Sequence, residues 1–528
     1  MSLKRNEDLI LMKKLLISVC VFLLILSCTS DKPGNLVPEG SKAGDIFLKP
    51  CKFETQSASY NAECGTLVVS ESPGKEPSRL IALPVVCIHA SSTKQAEPIF
   101  YLAGGPGQSN MKFKPPDDLL INHDIVFVGY RGVDGSVVLD CPEVNKAIKG
   151  TGKDLLATPS ITNLSEAFQK CADRLIKDGV DLNAYTMIDV IRDMEAARVK
   201  LGYKRIDLLS ESYGTRVAQI YAYQHPDIVY RSVMIGVNPP GHFVWEPDTI
   251  DRQLEYYARL CAKDSVCNNC TDDLIKTMHN VISNMPRRWL FLPVDAGKVK
   301  LITFALLYHR KTAALAFNTF IAAENGDPSG LALMTLAYDF MFPSMITWGD
   351  LASKATSADF NPDRDYSVEM NPPESILGSP FSKLLWSLKS WPTAPIPDVY
   401  RRTQRTDVET LLLGGSIDFS TPAGFATCEL LPQLTNGKQI ILKEMGHTHD
   451  IWTIQRAATI KLLTSFYNTG KADDSFFTYV PMEFNVAWGF PKIAKIGLAV
   501  VFLIVLLITG LIGIIIRRFL RKTGMTAV

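Results

Sequence analysis

The chain has 528 residues, and its 55 Lys and Arg against 54 Asp and Glu leave a formal net charge of +1. There is no basic surplus to neutralise a phosphate backbone, which argues against nucleic-acid binding. Hydrophobic residues make up 47% and charged residues 21% of the chain, the composition of a packed globular protein. Residues 1–27 contribute +2 and residues 492–528 contribute +6, which leaves residues 28–491 at −7.

The amino terminus has the residue order of a secretory signal. Lys13 and Lys14 precede an apolar run at 15–26, and small residues follow at 27–30. This order predicts a signal peptide over residues 1–27. The end of the run resembles a bacterial lipoprotein box, in which Cys28 becomes the lipidated first residue of the mature chain. An ordinary signal peptide is the alternative.

A second apolar segment lies near the carboxyl terminus. Residues 496–516 carry no charge over 21 residues, which is enough for a helix to cross a hydrocarbon core of about 30 Å. Four Lys or Arg follow at 517–522, and the positive-inside rule makes the tail cytoplasmic. We therefore expect a single-pass inner-membrane protein of the bacterial cell envelope, with the region before residue 496 in the periplasm or otherwise outside the cytoplasm.

Cysteine usage agrees with export, because several cysteines between the two ends form local pairs. The predicted disulfides join Cys51 to Cys64, Cys141 to Cys171, and Cys261 to either Cys267 or Cys270. Cys87, inside an apolar run, is the expected buried free thiol. The cysteine cluster at 261–270 lacks a His partner or a second Cys-x-x-Cys, so we predict neither a metal site nor a cofactor.

Short apolar runs alternate with helical patterns through the first half of the chain. Strands are predicted at 99–103, 125–128, 206–209, 232–237, 408–414 and 439–442. A helix is predicted to begin at a capping box of Thr186 and Asp189 and to end at Gly202. Another follows Ser212 and ends before Pro226. This order predicts the α/β class, a mostly parallel sheet with helices on both faces.

A long segment with mainly helical signals separates the two sheet-forming parts. Its predicted helices are 254–262, 301–323 and 329–342. As an insertion over the carboxyl edge of the sheet, it would cover the place where active sites of open α/β sheets lie. The predicted layout is a signal peptide at 1–27, the first part of the core at 28–240, a cap at 241–400, the second part of the core at 401–475, a linker at 476–495, a transmembrane helix at 496–516 and a cytoplasmic tail at 517–528.

The sequence Ser-Glu-Ser-Tyr-Gly at 210–214 lies between a predicted strand and a predicted helix. A sharp turn in that context, called a nucleophile elbow, exposes one hydroxyl at the top of the sheet and requires small residues two before and two after it. Ser212 is the candidate nucleophile. Ser210 stands where the first Gly of the elbow is usual, and an ordinary strand-to-helix turn is the alternative.

Three further features favour catalysis. A Gly-Gly-Pro-Gly turn at 104–107 follows a predicted strand and can direct backbone N–H groups at a developing oxyanion. Asp418 lies just beyond a later strand, and His447 follows the next one, which gives the chain order Ser, Asp, His. An imidazole would remove the hydroxyl proton, and a carboxylate would orient the imidazole. His449 and Asp450 are the competing residues.

With these motifs in place, the sequence resembles the proline iminopeptidase and tripeptidyl aminopeptidase branch of the α/β hydrolases. The likeness runs from about residue 51 to 267 and resumes from about 406 to 463. It implies an α/β-hydrolase fold with a mainly helical cap. It also implies that Ser212 is the nucleophile and that Asp418 and His447 are its partners. The N–H groups of Gly105 and Tyr213 would form the oxyanion hole.

One loop departs from the pattern of that branch. The segment Arg-Gly-Val-Asp-Gly-Ser at 131–136 resembles its Arg-Gly-x-Gly-x-Ser loop, but Asp134 stands where the second Gly is expected. The acid that commonly precedes the Arg is missing, because Gly129 and Tyr130 occupy its place. These departures leave the three catalytic positions filled and the substrate preference open.

Members of this branch cleave residues or short peptides from a free amino terminus and hold the substrate's ammonium with acids near the cap. Glu211 is a candidate for that role here, and Glu369 and Glu374 in the insertion are others. The leading hypothesis is a membrane-anchored serine exopeptidase that acts on peptides with a free amino terminus through an acyl-enzyme, without a cofactor. The alternatives are a serine carboxypeptidase, a carboxylesterase on the same fold, and a non-catalytic binding module.

Overall fold

The structure is a computed structural model that describes residues 36–54, 58–93, 95–150, 154–386 and 391–523. The predicted signal peptide and Cys28 lie outside these residues, as does the end of the predicted tail.

A nine-stranded sheet forms the centre of the described chain. Its strands are β1 (Ile46–Glu54), β2 (Ser59–Ser70), β3 (Leu80–Ile88), β4 (Ile99–Leu102), β5 (Ile125–Val128), β6 (Ile206–Glu211), β7 (Val229–Ile235), β10 (Glu409–Gly415) and β11 (Gly437–Leu442), and the hairpin strands β8 (Arg288–Trp289) and β9 (Leu292–Pro293) lie in the insertion. The strand order is β1-β2-β3-β5-β4-β6-β7-β10-β11. Pairing is parallel from β5 through β11 and antiparallel among β1, β2, β3 and β5.

The parallel part confirms the predicted fold class, because all six predicted strands are present in it. All residues of β4 and β5 are buried, as expected of central strands covered on both faces. The antiparallel strands β1 to β3 extend one side of the sheet and had no counterpart in the sequence prediction. Their burial is mixed, with exposed and partly buried positions along β1.

The helices fall into three groups along the chain. Those of the core before the insertion are α1 (Pro142–Ala147), α2 (Thr158–Lys177), α3 (Met187–Leu201) and α4 (Tyr213–Gln224). Those of the insertion are α5 (Pro247–Cys261), α6 (Ser265–Asn268), α7 (Leu274–Ser283), α8 (Ala296–Leu306), α9 (Arg310–Glu324), α10 (Ser329–Met341), α11 (Trp348–Asp359), α12 (Tyr366–Glu369) and α13 (Pro380–Leu385). The last group is α14 (Ala423–Phe425), α15 (Thr448–Thr453), α16 (Arg456–Thr469) and α17 (Phe490–Thr523).

The start of α3 shows how local sequence sets an element. The backbone N–H of Thr186 donates to Asp189 over 3.1 Å, which is one half of the predicted capping box. Gly202 ends the helix at φ 79°, ψ 14°, a left-handed conformation that glycine adopts without strain. Both predicted boundaries of this helix are confirmed.

One predicted helix of the insertion is wrong as a single element. The segment 301–323 contains the end of α8 and most of α9, which are separated at Tyr308 and His309. The carbonyl of Tyr308 accepts the backbone N–H of His447 over 2.8 Å instead of continuing a helical ladder. A contact between residues so distant in sequence leaves no signal in the local apolar pattern.

The carboxyl-terminal segment is packed against the body before it becomes helical. Met482 and Phe484 are buried, and the backbone N–H of Met482 donates to Glu444 over 2.8 Å. The helix α17 then runs beyond the predicted 496–516 span on both sides. Residues 490–519 are long and apolar enough to cross a membrane by length and composition.

Three disulfides are present among the described residues, and they match the sequence prediction. They join Cys51 to Cys64, Cys141 to Cys171, and Cys261 to Cys267, which decides between the two partners left open for Cys261. The Cys141 bridge ties the start of α1 to α2. Cys87 is a buried free thiol, as predicted, and Cys270 and Cys428 are free and exposed.

Candidate active site

Ser212 lies at the tight turn between β6 and α4. Its backbone has φ 49° and ψ −119°, a conformation that non-glycine residues rarely adopt and that costs of order 1–3 kcal/mol. The hydroxyl of Ser210, two residues earlier, is buried and donates to the carbonyl of Val233 over 3.0 Å. The serine that replaces the usual glycine is therefore accommodated by the neighbouring strand.

Asp418 is fully buried just after β10, and its Oδ2 lies 2.8 Å from Nδ1 of His447. The carboxylate is held by three further donors. Oδ1 accepts the backbone N–H groups of Ser420 and Thr421 at 3.0 and 2.9 Å, and Oδ2 accepts the Thr421 hydroxyl at 2.9 Å. These bonds fix the orientation in which the carboxylate receives Nδ1–H of the imidazole.

The imidazole of His447 packs against Gly236, beside the turn that carries Ser212. Nε2 is buried and has no hydrogen-bond partner among the described residues. The ring lies over Gly236, where a Cβ would come within 2.8 Å of Cε1. The preceding residue, Ile235, accepts the backbone N–H of Ser212 over 2.9 Å. The Ser212 hydroxyl and Nε2 of His447 are not hydrogen-bonded to each other. Long or absent hydrogen bonds of this kind are common between catalytic groups when no substrate is bound.

The competing residues His449 and Asp450 face elsewhere. Oδ2 of Asp450 accepts the backbone N–H of Gly446 at 2.8 Å and that of Arg310 at 3.0 Å, so this carboxylate fastens the loop before α15 to the cap. The His449 ring packs against His309, with ring centroids 4.6 Å apart. Of the four candidate partners of Ser212, only Asp418 and His447 are in contact with one another as an acid and an imidazole.

The Gly-rich turn after β4 lies against the elbow. A Cβ on Gly104 would come within 3.2 Å of Cβ of Ser212, so the absence of a side chain there permits this approach. Gly105 follows it with φ 134°. Tyr213 supplies one of the first N–H groups of α4, which have no acceptor within their own helix. The backbone groups expected to form an oxyanion hole therefore come from two neighbouring segments.

Asn110 supports this turn and was not singled out from sequence. Its Oδ1 accepts the backbone N–H of Ala103 at 2.7 Å, and its amide donates to the carbonyls of Tyr101 and Val128 at 3.0 and 2.8 Å. Asp134 accepts the backbone N–H groups of Asn110 and of Tyr130, each at 2.9 Å. The residue that departs from the family's loop pattern therefore links that loop to the Gly-rich turn.

The insertion covers the site through Tyr308, a second residue that no sequence motif marks. Its ring meets the His447 imidazole edge to face, with centroids 5.2 Å apart. Its hydroxyl accepts a hydrogen bond from Ser420 over 3.2 Å. Burial raises the pKa of the phenol, so the group stays neutral beside the imidazole.

Glu211 is hydrogen-bonded to residues of the hydrolase core. Its Oε1 accepts the hydroxyl of Tyr101 at 3.1 Å and the indole N–H of Trp452 at 3.0 Å. Burial raises the pKa of this carboxyl. The other two candidate acids lie in the insertion, where Glu369 binds Arg364 over 2.7 Å and Glu374 is exposed.

The fold and this site define a serine hydrolase of the α/β-hydrolase class. Residues 97–272 match the family described as alpha/beta hydrolase fold. Residues 377–475, which include the second core segment, match the family described as TAP-like protein. The chain thus has the α/β-hydrolase fold, and its second core segment is similar to that family.

Curated relatives agree with that class at modest identity. A tripeptidyl aminopeptidase of Streptomyces lividans is 26% identical over 259 residues, which are 45% of this chain and 46% of the relative. The serine protease Hip1 of Mycobacterium tuberculosis is 23% identical over 271 residues, 47% of this chain and 51% of the relative. The matched region thus spans about half the length of these relatives.

Proposed function

We propose that this protein is an exported, membrane-anchored serine exopeptidase that removes residues or short peptides from a free amino terminus. The contact between Asp418 and His447 beside the Ser212 elbow carries the proposal. The names of the relatives, an aminopeptidase and a serine protease, support peptide bonds as the substrate.

In this mechanism, Ser212 attacks the scissile carbonyl carbon while Nε2 of His447 takes the hydroxyl proton. The N–H groups of Gly105 and Tyr213 stabilise the oxyanion, and Asp418 stabilises the imidazolium that forms. The imidazolium then protonates the leaving amine, and an ester of Ser212 remains. Water, deprotonated by the same imidazole, hydrolyses the ester and restores the serine.

The central experiment compares Ser212→Ala with Ser210→Ala. Both changes remove a hydroxyl from the same strand-to-helix segment, but the Ser210 hydroxyl is bonded to Val233 within the sheet. We expect only Ser212→Ala to abolish labelling by a fluorophosphonate probe and hydrolysis of aminoacyl and tripeptidyl amides. Labelling that survives in Ser212→Ala would falsify the assignment of the nucleophile.

Peptides blocked at one terminus test which end of the substrate the enzyme cleaves. A peptide with an acetylated amino terminus should resist cleavage, whereas the same peptide amidated at its carboxyl terminus should be cut. The reverse result would indicate a carboxypeptidase. Hydrolysis restricted to simple esters would indicate a carboxylesterase.

Glu211 is our proposed partner of the substrate's ammonium, because it adjoins the nucleophile. Glu211→Gln should raise KM for free-amine substrates more than for amino-blocked esters that the enzyme also accepts. An equal rise in KM for both kinds of substrate would instead indicate that Glu211 holds Tyr101 and Trp452 in place.

The apolar helix α17 and the basic residues near its end support anchoring with the catalytic body outside the cytoplasm. Protease added to intact spheroplasts should degrade the body but spare a tag placed after residue 528. Mass analysis of the mature amino terminus would test whether Cys28 carries a lipid.

A further inference from the structure

A second cluster of reactive side chains lies at the edge of the sheet opposite to the catalytic triad. Cys87 is the last but one residue of β3 and His89 follows the strand directly. Residues two apart in an extended segment have side chains on the same face. Asp124 immediately precedes β5, the strand that pairs with β3. The triad occupies the carboxyl ends of the parallel strands, whereas this cluster lies at the amino end of β5.

The ligand atoms of these three residues converge. Sγ of Cys87 is 3.9 Å from Nδ1 of His89, and that nitrogen is 3.8 Å from Oδ2 of Asp124. All three atoms lie within 4.8 Å of one another. Tetrahedral zinc with bonds of about 2.3 Å to sulfur and about 2.0–2.2 Å to nitrogen and oxygen separates its ligands by roughly 3.3–3.6 Å. The separations between Cys87 and His89 and between His89 and Asp124 exceed these values by only a few tenths of an ångström.

Neighbouring side chains and backbone groups hold His89 and Asp124 in position, as the residues around metal ligands commonly do. Glu63 is directly opposite Cys87 on β2, and its carboxylate lies 3.4 Å from Nε2 of His89. A carboxylate on the outer nitrogen of a histidine leaves the inner nitrogen free to bind a metal. Asp124 is held by the backbone N–H of Ala90 at 2.8 Å on Oδ1 and by the Tyr203 hydroxyl at 2.7 Å on Oδ2.

We infer that Cys87, His89 and Asp124 form a binding site for zinc, with water as the fourth ligand. A thiolate, a neutral imidazole and a carboxylate together supply the two negative charges that balance a divalent cation, and this donor set suits zinc better than magnesium or calcium. Cys87 and Asp124 are buried while His89 is partly exposed, which provides an entry path and room for the water.

Binding forms the sulfur–zinc bond and releases the thiol proton to solvent. When no metal is bound, the Cys87 sulfur contacts the Tyr203 hydroxyl at 3.2 Å. The metal would join the end of β3 to the start of β5, at the edge of the sheet opposite to the triad.

The test uses the full chain in detergent, stripped of metals by a chelator and then incubated with Zn²⁺ or with Co²⁺. One zinc per chain should remain after desalting, and Co²⁺ should give the thiolate-to-metal charge-transfer band of a sulfur ligand. Cys87→Ser should abolish this band. Cys270→Ser and Cys428→Ser remove the two exposed free thiols among the described residues and should leave it unchanged.

Two variants keep the test decisive if Cys87→Ser fails to fold. Glu63→Gln should weaken zinc binding about 10- to 100-fold through His89, and His89→Gln, at a partly exposed position, should abolish the rise in Tm that zinc gives the wild type. Circular dichroism would check the fold of each. Absence of the cobalt band in the wild type, or its loss with Cys270 or Cys428 instead of Cys87, would leave only a hydrogen-bonded thiol and overturn the inference.

Discussion

Gly107 donates its backbone N–H to the carboxylate of Asp350 over 3.0 Å, which fastens the Gly-rich turn of the candidate active site to helix α11 of the insertion. The carboxylate is fully buried and also pairs with the equally buried ammonium of Lys354. That ammonium donates to the carbonyl of Arg131 over 3.2 Å, in the loop whose sequence departs from the family pattern. The shape of the turn beside Ser212 therefore depends on a buried ion pair in the cap.

Lys354→Met tests this dependence. It leaves the Asp350 carboxylate buried without its cation, and we expect a loss of about 3–5 kcal/mol in the free energy of unfolding. Urea denaturation measures the loss. The exposed pair of Arg252 and Asp248 on α5 is the control, because Arg252→Met should cost less than about 1 kcal/mol. Recovery of stability in the double variant Asp350→Asn/Lys354→Met is expected, and its absence would contradict the explanation.

Asp418→Asn should reduce kcat by about 10³–10⁴ while leaving the fold intact. The amide oxygen of asparagine still accepts the N–H groups of Ser420 and Thr421, but the side chain no longer stabilises the imidazolium of His447. Asp450→Asn is the matched control and should change kcat by less than about tenfold, because Asp450 binds only backbone N–H groups among its described contacts. A larger effect at Asp450 than at Asp418 would reverse the assignment.

The buried carboxyl of Asp207 should make the stability of the protein depend on pH. It is buried in β6, 3.8 Å from His123, and burial raises the pKa of its carboxyl well above the usual value. A group with a raised folded-state pKa destabilises the protein as the pH rises from the unfolded pKa through the folded one. Asp207→Asn should therefore be more stable than wild type at pH 8, by about 1–3 kcal/mol.

The excess stability of Asp207→Asn should shrink as the pH falls to 4 and below, since the carboxyl of the unfolded wild type then also becomes protonated. Thermal unfolding across that range measures the difference. Asp173→Asn on the exposed face of α2 is the control and should follow the wild-type profile. A constant difference at every pH would assign the effect to packing and not to charge.

The disulfides should differ in their contribution to stability. The Cys141–Cys171 bridge closes 30 residues and the Cys261–Cys267 bridge closes 6. The loop-entropy relation gives about 3–4 kcal/mol for the first and about 2 kcal/mol for the second. Paired Cys→Ala replacements, compared by denaturant unfolding, test this order. Equal losses would show that loop length does not govern these bridges.

The sequence was sufficient for features set by neighbouring residues. The elbow around Ser212, the caps of α3 and the six parallel strands each depend on a few adjacent positions, and all were predicted. The break between α8 and α9 was missed because the hydrogen bond made there, from the backbone N–H of His447 to the carbonyl of Tyr308, joins residues far apart in the sequence. Asn110 and Tyr308 were missed for the same reason, since their partners lie in other segments and their residue types alone carry no signal.

The first turns of α17 are part of the folded body. Pro491 and Ala494 are buried, Ser329 donates to the carbonyl of Pro491 over 3.3 Å, and Lys495 pairs with Asp327 over 2.6 Å. If the rest of this helix lies in a bilayer, as we propose, the hydrolase is joined to the membrane by a helix that is packed against its own surface, and not by a flexible linker. Its active site would then keep a fixed height and tilt above the lipid surface, and only peptide termini that reach that height would be cut.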